Sequence, residues 1–540
     1  MLTETSKRWP QRHRRAAIFV LVPLVFGLYA VSRGRDANWD LQNYQWYDAY
    51  ALLDWRYDRD VAPAHAMSYL PPYLYVPWFW LGNALPARAL GFIIGAVQSA
   101  NLLLLYGLGL VMLPIERRLH REAVALMLAI VGMCGGMSIG LLGTTFIDSV
   151  VTIGILASLL ALVASLPLLT AGASAQAAWR AALAAVPAAI ALSGKPTVAT
   201  FAVGLAAGLL LVDAPPRRRA WLLLWFGIGG TLTAAVFLGP WYLHVWSVTG
   251  DPFYPYLAHL FLSPFAGDGW NLDRWNPHSR RELLYYPLVF AADSARVAEV
   301  PFTDWRVAAA YVLVPAALCL RLCRRSSARP PLAPGFGVLL ATMLVGYALW
   351  LVMFTYYRYA VTLELLAPLA IALTVLALPF RLPLRSLLVG AIMLWLVATT
   401  RPADWGHLPW TSRLVEVSAP PISDPATAAV LLMGQPIAYV VPSLPSAAAV
   451  IDLDMAYWYG GNRDAWARLI RERLASRSGR LYAIMFADKV SEMAQAAAPF
   501  GLTLDATRCR PLPTNLPSAG QPSLNQLSFC PLERAAGPAQ

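Results

Sequence analysis

Acidic and basic side chains stand at the edges of apolar segments in this sequence, where ionised groups are costly unless they have a use. The acidic candidates are Asp36, Asp40 and Asp148, and the basic ones are Lys195 and Arg358. A carboxylate can take a proton from a hydroxyl group, and cations can hold a departing phosphate. These residue types together suit the cleavage of a sugar–phosphate bond with transfer of the sugar to an acceptor hydroxyl.

Aromatic and further polar residues accompany these charges. Trp39 and Tyr44 flank Asp40 and could stack on a sugar ring, although an aromatic belt at a membrane interface is the alternative. His244 and Asp251 are added as substrate-binding candidates, but the histidine lacks metal-ligand spacing, which favours a structural role. Asp148 could orient substrate, balance a cation or hold a divalent metal. No cofactor is predicted with certainty, and a divalent metal stays open.

Composition sets the class of protein that must position these groups. The 540 residues are 58% apolar and only 13% charged, against about 45–50% and about 25% in soluble domains. The 42 Lys+Arg and 30 Asp+Glu leave a net charge of +12. Spread over 540 residues, this positive charge is too sparse for a surface that binds the phosphates of nucleic acid. The composition excludes a disordered chain, a soluble enzyme with one anchor and a nucleic-acid binder. It predicts an all-α polytopic membrane bundle in contact with lipids.

Apolar runs and the placement of arginines predict about 11 transmembrane helices. The basic segment 1–15 stays in the cytoplasm under the positive-inside rule, which places the end of the chain outside the inner (plasma) membrane. The predicted spans are 16–32, 89–113, 123–142, 149–168, 179–193, 197–212, 220–242, 306–322, 333–353, 359–378 and 386–400.

Three regions are predicted outside the membrane, beside a multi-span domain at 16–400. The first outer loop, 33–88, carries a juxtamembrane helix at 73–85, and a large outer loop covers 243–305. Residues 401–540 are predicted to form a small extracytoplasmic α/β domain with a frayed end after Pro531. Its expected strands are 438–441, 449–453 and 481–486, and its expected helices are 466–475 and 490–498.

Two smaller features of the outer regions carry predictions of their own. In the first outer loop, acidic residues alternate with basic ones between Asp54 and Asp60, which is typical of a solvated charged surface. In the last region, Cys509 and Cys530 could form a disulfide outside the cytoplasm or remain two unpaired thiols. The sequence leaves both states open.

Over residues 16–400 the chain resembles the GT-C fold glycosyltransferases, the superfamily of protein O-mannosyltransferases, aminoarabinose transferases and bacterial polyprenyl-phosphate-mannose-dependent enzymes. The likeness rests on the order and sidedness of five short features rather than on any single one. These are Arg35-Asp-Ala-Asn-Trp-Asp40-Leu-Gln-Asn-Tyr44, Tyr69-Leu-Pro-Pro72, Asp148 at the start of a span, Ser193-Gly-Lys-Pro-Thr197, and Gly239-Pro-Trp-Tyr242 with Gly250-Asp-Pro-Phe-Tyr-Pro255.

The resemblance implies a polyprenyl-phosphate sugar as donor, a glycan, lipid or protein as acceptor, and an aspartate of the first outer loop as general base. Asp40 is favoured over Asp36, the alternative being that either one caps a helix. Lys195 and Arg358 would bind the lipid phosphate, unless Lys195 only snorkels and Arg358 only pairs with Glu364. The tandem Asp-Glu pair of protein O-mannosyltransferases is absent, which weakens the implication of a protein acceptor.

Two other functions fit the same sequence. A transporter or flippase for a lipid-linked saccharide would need paired half-spans or symmetric repeats, with charges near the bilayer midplane. The sequence shows no such repeat and puts its ionisable groups at span ends, so this function ranks second. A catalytically inactive assembly protein ranks third.

Overall fold

The computed structural model describes residues 2–265, 273–323, 330–457, 463–516 and 526–535, so the predicted fraying at the end of the chain falls largely outside the described residues. Most of these residues are helical. The α-helices are Leu2–Arg33, Trp46–Leu53, Val76–Ala84, Ala87–Gln98, Ala100–Met112, Arg118–Met133, Gly136–Gly140, Asp148–Ala164, Leu166–Ala171, Ser174–Gly194, Ala199–Leu209, Pro216–Thr249, Ala258–Phe261, Glu282–Ala292, Arg306–Cys323, Phe336–Met353, Val361–Leu376, Leu382–Ala398, Asp454–Tyr457, Arg463–Ala475 and Val490–Ala497.

Seven helical segments of the described chain are long and apolar enough to cross a membrane. They are His13–Arg33, Ala87–Met112, Ser174–Gly194, Pro216–Thr249, Arg306–Cys323, Phe336–Met353 and Tyr357–Leu376. Four apolar helices are shorter: Asp148–Ala164, Pro196–Leu209, Glu282–Ala292 and Leu382–Ala398. A membrane protein is therefore supported by length and composition, whereas the count of 11 spans stays a prediction.

The C-terminal ends of two predicted spans differ most from those of the helices in the structure. The segment predicted at 123–142 overlaps the helix Arg118–Met133, which begins earlier, ends before Gly135 and is followed by the short helix Gly136–Gly140. Paired glycines weaken a helix because they lose the most backbone entropy on folding. The helix Pro216–Thr249 in turn continues past residue 242 into the predicted large outer loop.

The helix Val361–Leu376 lies at the centre of the bundle. In the apolar segment Tyr357–Leu376, which includes this helix, 94% of the most apolar 18-residue stretch is buried inside the protein. The corresponding share for His13–Arg33 is 11%. Helices Arg118–Met133, Arg306–Cys323 and Leu382–Ala398 pack around it. The residues that immediately precede this helix are therefore held on many sides, which makes them suitable for a fixed site.

The described end of the chain contains a small sheet. Two short strands, β1 (Arg35–Asp36) and β2 (His407–Leu408), pair with each other separately from this sheet. The strands of the sheet are β3 (Ala429–Met433), β4 (Ala449–Asp452), β5 (Leu481–Phe486), β6 (Leu502–Leu504), β7 (Arg510–Leu512) and β8 (Leu527–Arg534). The order is β4-β3-β5-β8-β6, with β7 also paired to β8. β3 is parallel to β4 and β5, and β8 is antiparallel to its neighbours.

The strand predicted at 438–441 is wrong, because Ala438–Ser443 is a 3₁₀-helix. Pro442 lies inside that segment and has no N–H to offer to a sheet ladder. The 3₁₀-helix packs against Trp46–Leu53 of the first outer loop. This end of the chain therefore uses the segment to hold the outer loop rather than to widen its sheet.

The solvated charged surface predicted between Asp54 and Asp60 is also wrong for two of its charges, Arg56 and Asp60. Arg56 and Asp60 are buried, with Arg56 Nη2 lying 2.8 Å from Asp60 Oδ1. Arg56 donates to the carbonyl of Ala448 at 2.7 Å, and Asp60 accepts from the N–H of Val450 at 2.8 Å. The charges are buried because they dock the outer loop on the edge of β4, which sequence spacing alone could not indicate.

Cys509 and Cys530 form a disulfide, which resolves the two states left open above. It joins β8 to the segment before β7 and closes a stretch with a sequence separation of 21. We expect Cys509→Ser/Cys530→Ser to destabilise the sheet by about 3 kcal/mol, because the unfolded chain then regains loop entropy. Limited proteolysis should cut the 502–535 region several-fold faster in this variant, while helices of the bundle keep their cleavage rate. If the variant and the unaltered protein are cut at the same rate in the 502–535 region, the expectation is contradicted.

Candidate functional site

Four of the residues singled out in the sequence meet in one buried cluster, which we call the four-charge cluster: Asp40, Asp148, Lys195 and Arg358. Arg358 Nη1 lies 3.0 Å from Asp40 Oδ2, and its Nε lies 3.5 Å from Asp148 Oδ2. Lys195 Nζ donates to Asp148 Oδ1 at 2.7 Å. Two carboxylates thus face two cations, a balance that buried charges require.

Breaks between helices position three of these side chains. Asp148 is the first residue of its helix, where a negative charge is favourable. Lys195 lies between the helix Ser174–Gly194 and the 3₁₀-turn Pro196–Val198, because Pro196 disfavours the helical conformation for the residue before it. Arg358 lies in the 3₁₀-turn Tyr357–Ala360 that leads into the central helix.

Asp40 reaches the cluster from the first outer loop. It immediately precedes the π-helix Leu41–Gln45, and its side chain makes no capping hydrogen bond, so the capping alternative does not hold here. Tyr44 Oη instead donates to Asp40 Oδ2 at 2.9 Å. Burial, together with the charge of Asp40, raises the pKa of Tyr44 well above its ordinary value, which keeps this phenol protonated and donating. One oxygen of Asp40 therefore has two partners, Tyr44 and Arg358.

The guanidinium of Arg358 is enclosed by aromatic rings. Its Cζ lies 3.9 Å from the ring centroid of Phe146 and 5.4 Å from those of Tyr356 and Trp405, distances typical of cation–π contacts. Its Nε and Nη1 are close to the carboxylates, but neither N–H is aligned for a hydrogen bond. Arg358 thus keeps hydrogen-bonding capacity for another anion.

Asp36 is held apart from the four-charge cluster. Its Oδ2 accepts from the N–H of Thr145 at 2.7 Å, from Thr145 Oγ1 at 2.8 Å and from Asn38 Nδ2 at 2.7 Å. Burial raises the pKa of the Asp36 carboxyl, and these hydrogen bonds oppose that rise. The carboxylate therefore ties the first outer loop to the segment before Asp148, and its assignment as the alternative base stays a prediction.

The remaining candidates occupy three different places. Trp39 is 40% exposed beside Asp40, so its ring is accessible. His244 packs against the rings of Tyr57 and Trp241, with centroid distances of 4.7 and 5.6 Å. Asp251 is buried in a turn, where its Oδ1 accepts from the N–H of Phe253 at 2.8 Å. Among the described contacts, neither His244 nor Asp251 bonds to the four-charge cluster.

Glu364 is not the partner of Arg358 that the sequence allowed. Glu364 lies in the first turn of the central helix, and its carboxylate accepts from the N–H groups of Met137 and Ser138 at 3.2 and 2.8 Å. Arg358 is consequently available to the aspartates.

Sequence reasoning missed the aromatic residues around the cations. Lys195 Nζ lies 4.5 Å from the ring centroid of Tyr359, and Trp405 contributes from beyond the last long apolar helix. Phe146, Tyr356 and Tyr359 stand within two residues of Asp148 or Arg358, so their proximity was a usable signal. Trp405 had none, because only the packing of the chain end brings it to the bundle.

Comparison with known proteins gives a distant likeness. No family model matches the chain. No curated protein matches it either. Among solved structures, the oligosaccharyltransferase of Archaeoglobus fulgidus in its apo form is similar over 89% of this chain and 71% of its own, at 12% identity and a TM-score of 0.41. The same enzyme in complex with Zn and sulfate gives 88% and 69%, at 12% identity and a TM-score of 0.40. At TM-scores below 0.5 the likeness establishes no shared family, so function has to come from the geometry.

That geometry has a specific chemical capacity. Arg358 and Lys195 can together face the oxygens of a phosphate, since a guanidinium presents a fork of donors and an ammonium a compact charge. An arriving anion would compete with the aspartates for these cations. Asp40, once its contact with Arg358 loosens, has a carboxylate oxygen able to accept a proton. The site can therefore bind a phosphate and deprotonate a hydroxyl group in one place.

Proposed function

We propose that this protein is a membrane glycosyltransferase of the GT-C type that moves a sugar from a polyprenyl-phosphate donor to an acceptor hydroxyl. The observation that carries the proposal is the meeting of Asp40, Asp148, Lys195 and Arg358 in one buried, charge-balanced cluster. A cluster built only for stability would be unusual, because well-packed apolar residues are often as stabilising as a buried ion pair.

Donor binding is assigned to the two cations. The donor phosphate would lie against Arg358 and Lys195, and Asp148 would keep both cations in place through its contacts at 3.5 and 2.7 Å. Cations that neutralise the negative charge on the departing phosphate oxygens stabilise the transition state more strongly in a site without water than they would in water. The polyprenyl chain would stay in the lipid beside the apolar helices.

Proton transfer is assigned to Asp40. The acceptor hydroxyl would lose its proton to this carboxylate while the acceptor oxygen attacks the anomeric carbon and the phosphate leaves with the bonding electrons. Tyr44 orients the carboxylate through its hydrogen bond, and the exposed ring of Trp39 would stack on the sugar. Attack opposite the leaving phosphate would invert the anomeric configuration.

The acceptor is proposed as a glycan, a lipid or a protein on the outer face of the inner membrane, where the positive-inside rule puts the first outer loop. The divalent metal left open for Asp148 is not needed for this assignment, because Lys195 already pairs with that carboxylate.

A transfer assay tests the proposed function. Purified full-length protein is offered a panel of labelled polyprenyl-phosphate sugars, with and without chelator, and the release of polyprenyl phosphate is followed, with water taking the sugar by hydrolysis where no other acceptor hydroxyl is supplied. We expect release from at least one donor, and no release when both cations are replaced in Lys195→Gln/Arg358→Gln. If a correctly folded protein releases polyprenyl phosphate from none of the donors in the panel, the proposal is contradicted.

A further inference from the structure

A second group of ionisable side chains lies where the first outer loop meets the small sheet. His65 Nε2 is 2.8 Å from Asp452 Oδ2 and 3.3 Å from Asp454 Oδ2. All three residues are buried, with exposed fractions of 4%, 1% and 4%. One ligand atom from each lies within 4.8 Å of the others. This His–Asp–Asp group shares no residue with the four-charge cluster.

Its chemistry is that of a cation site. An imidazole nitrogen and two carboxylate oxygens are ligands that Zn²⁺ and Mn²⁺ accept, with a water completing the set. Ligand atoms about 2.0–2.2 Å from a tetrahedral metal lie roughly 3.3 Å from one another, which is the observed separation of His65 from Asp454. The shorter contact with Asp452 needs to open by only about half an ångström.

Two features of the group favour the binding of a cation. Among the described residues, Asp454 Oδ1 is buried without a hydrogen-bond partner, while its Oδ2 accepts from the N–H of Gly434 at 2.6 Å. The charges also do not balance within the group, since two carboxylates leave one negative charge even when the imidazole is protonated. An excess of negative charge in a buried group favours a cation beside it.

We propose that His65, Asp452 and Asp454 bind one divalent transition-metal ion, of the Zn²⁺ or Mn²⁺ class, which fastens the first outer loop to the sheet. The loop already docks there, because Val61 pairs with Ile451 in a parallel bridge and Asp452 donates its N–H to the carbonyl of Val61 at 3.0 Å. A metal at this point would close a chain segment of almost 390 residues. The site would thereby hold in place the loop that carries Asp40.

A proton is the competitor of the metal. Burial acts to lower the pKa of His65, but the charge and hydrogen bond of Asp452 raise it to about 9. At neutral pH the metal-free imidazole would therefore be protonated, and metal binding would release that proton. The proposal goes beyond the proposed glycosyl transfer, because its test needs no substrate.

Metal titration of the purified full-length protein tests this site. After chelator treatment and dialysis, Co²⁺ is added as a spectroscopic probe and Zn²⁺ as its competitor. We expect one equivalent of Co²⁺ to bind with the visible absorption of a low-coordinate site and to be displaced by Zn²⁺. His65→Gln and Asp454→Asn should each weaken binding at least about 100-fold. Changing a residue that only hydrogen-bonds to a metal ligand already weakens binding by about 10–100-fold.

The matched control is His407→Gln, since His407 also faces an aspartate, Asp404, at 3.3 Å but belongs to no three-ligand group in the described residues. It should bind Co²⁺ like the unaltered protein. Absence of stoichiometric binding by the unaltered protein would overturn the proposal and leave a protonated His65 between its carboxylates. Binding by His65→Gln as tight as that of the unaltered protein would overturn it as well.

Discussion

Asp40→Asn is expected to lower the rate of sugar transfer by about 10²–10⁴-fold, the range that a positioned general base contributes. The amide has the size of the carboxylate and can still accept the hydrogen bond of Tyr44, so geometry near the π-helix should be kept. What it cannot do is take the proton of the acceptor hydroxyl. Single-turnover transfer with a saturating polyprenyl-phosphate donor measures this step apart from product release.

The control for this variant is Asp58→Asn, which alters an exposed carboxylate of the same outer loop, bonded to the indole N–H of Trp55. Its transfer rate should equal that of the unaltered protein. If Asp40→Asn transfers sugar at the unaltered rate, Asp40 is not the base. Donor binding by Asp40→Asn should be preserved or tightened, since one carboxylate that competes with phosphate for Arg358 has lost its charge.

Arg358→Gln is expected to have two separable effects. Removing one member of a buried charge group leaves the carboxylates of Asp40 and Asp148 in excess, at a cost of about 3–5 kcal/mol in the free energy of unfolding. It also removes a donor to the lipid phosphate, which is worth a factor of about 10–100 in affinity for a charge-assisted contact. Thermal unfolding in detergent measures the first effect, and equilibrium binding of polyprenyl phosphate measures the second.

The double variant Arg358→Gln/Asp40→Asn separates these effects. It removes one charge of each sign and leaves the contact of Lys195 with Asp148 intact. We expect its thermal stability to return close to that of the unaltered protein, while affinity for polyprenyl phosphate stays about 10–100-fold reduced. Restored stability with unaltered affinity would mean that Arg358 serves the fold and not the donor.

Apolar periodicity and span-end charges predicted much of the helical bundle and three members of the four-charge cluster, whereas Asp40 was singled out by the resemblance of the first outer loop to the GT-C enzymes. Asp148, Lys195 and Arg358 could be chosen individually because ionisable groups at span ends are unusual. Their mutual distances were beyond the sequence, since they depend on how helices far apart in the chain pack together. The same limit left Asp36 as an alternative to Asp40, because the different partners of the two carboxylates are set by the folded structure.

The sheet shows where local patterns mislead. The segment 438–441 has strand-forming residues, but it forms a 3₁₀-helix that packs against the outer loop. Arg56 and Asp60 have the spacing of a solvated charged run, yet they are buried in a docking contact with residues near β4. The His–Asp–Asp group was invisible for a related reason, because His65 and Asp452 are 387 positions apart and match no local metal motif. In each case a tertiary contact decided the outcome.

The most direct test of the central proposal uses the full-length protein in vesicles loaded with a labelled polyprenyl-phosphate sugar. Two quantities are followed together: cleavage of the sugar from the lipid phosphate, with water or an added hydroxyl compound taking the sugar, and movement of intact donor across the bilayer. Our account predicts cleavage that disappears in Asp40→Asn, with no movement of intact donor. Movement of the intact donor without cleavage would contradict it and would favour a lipid-saccharide transporter instead.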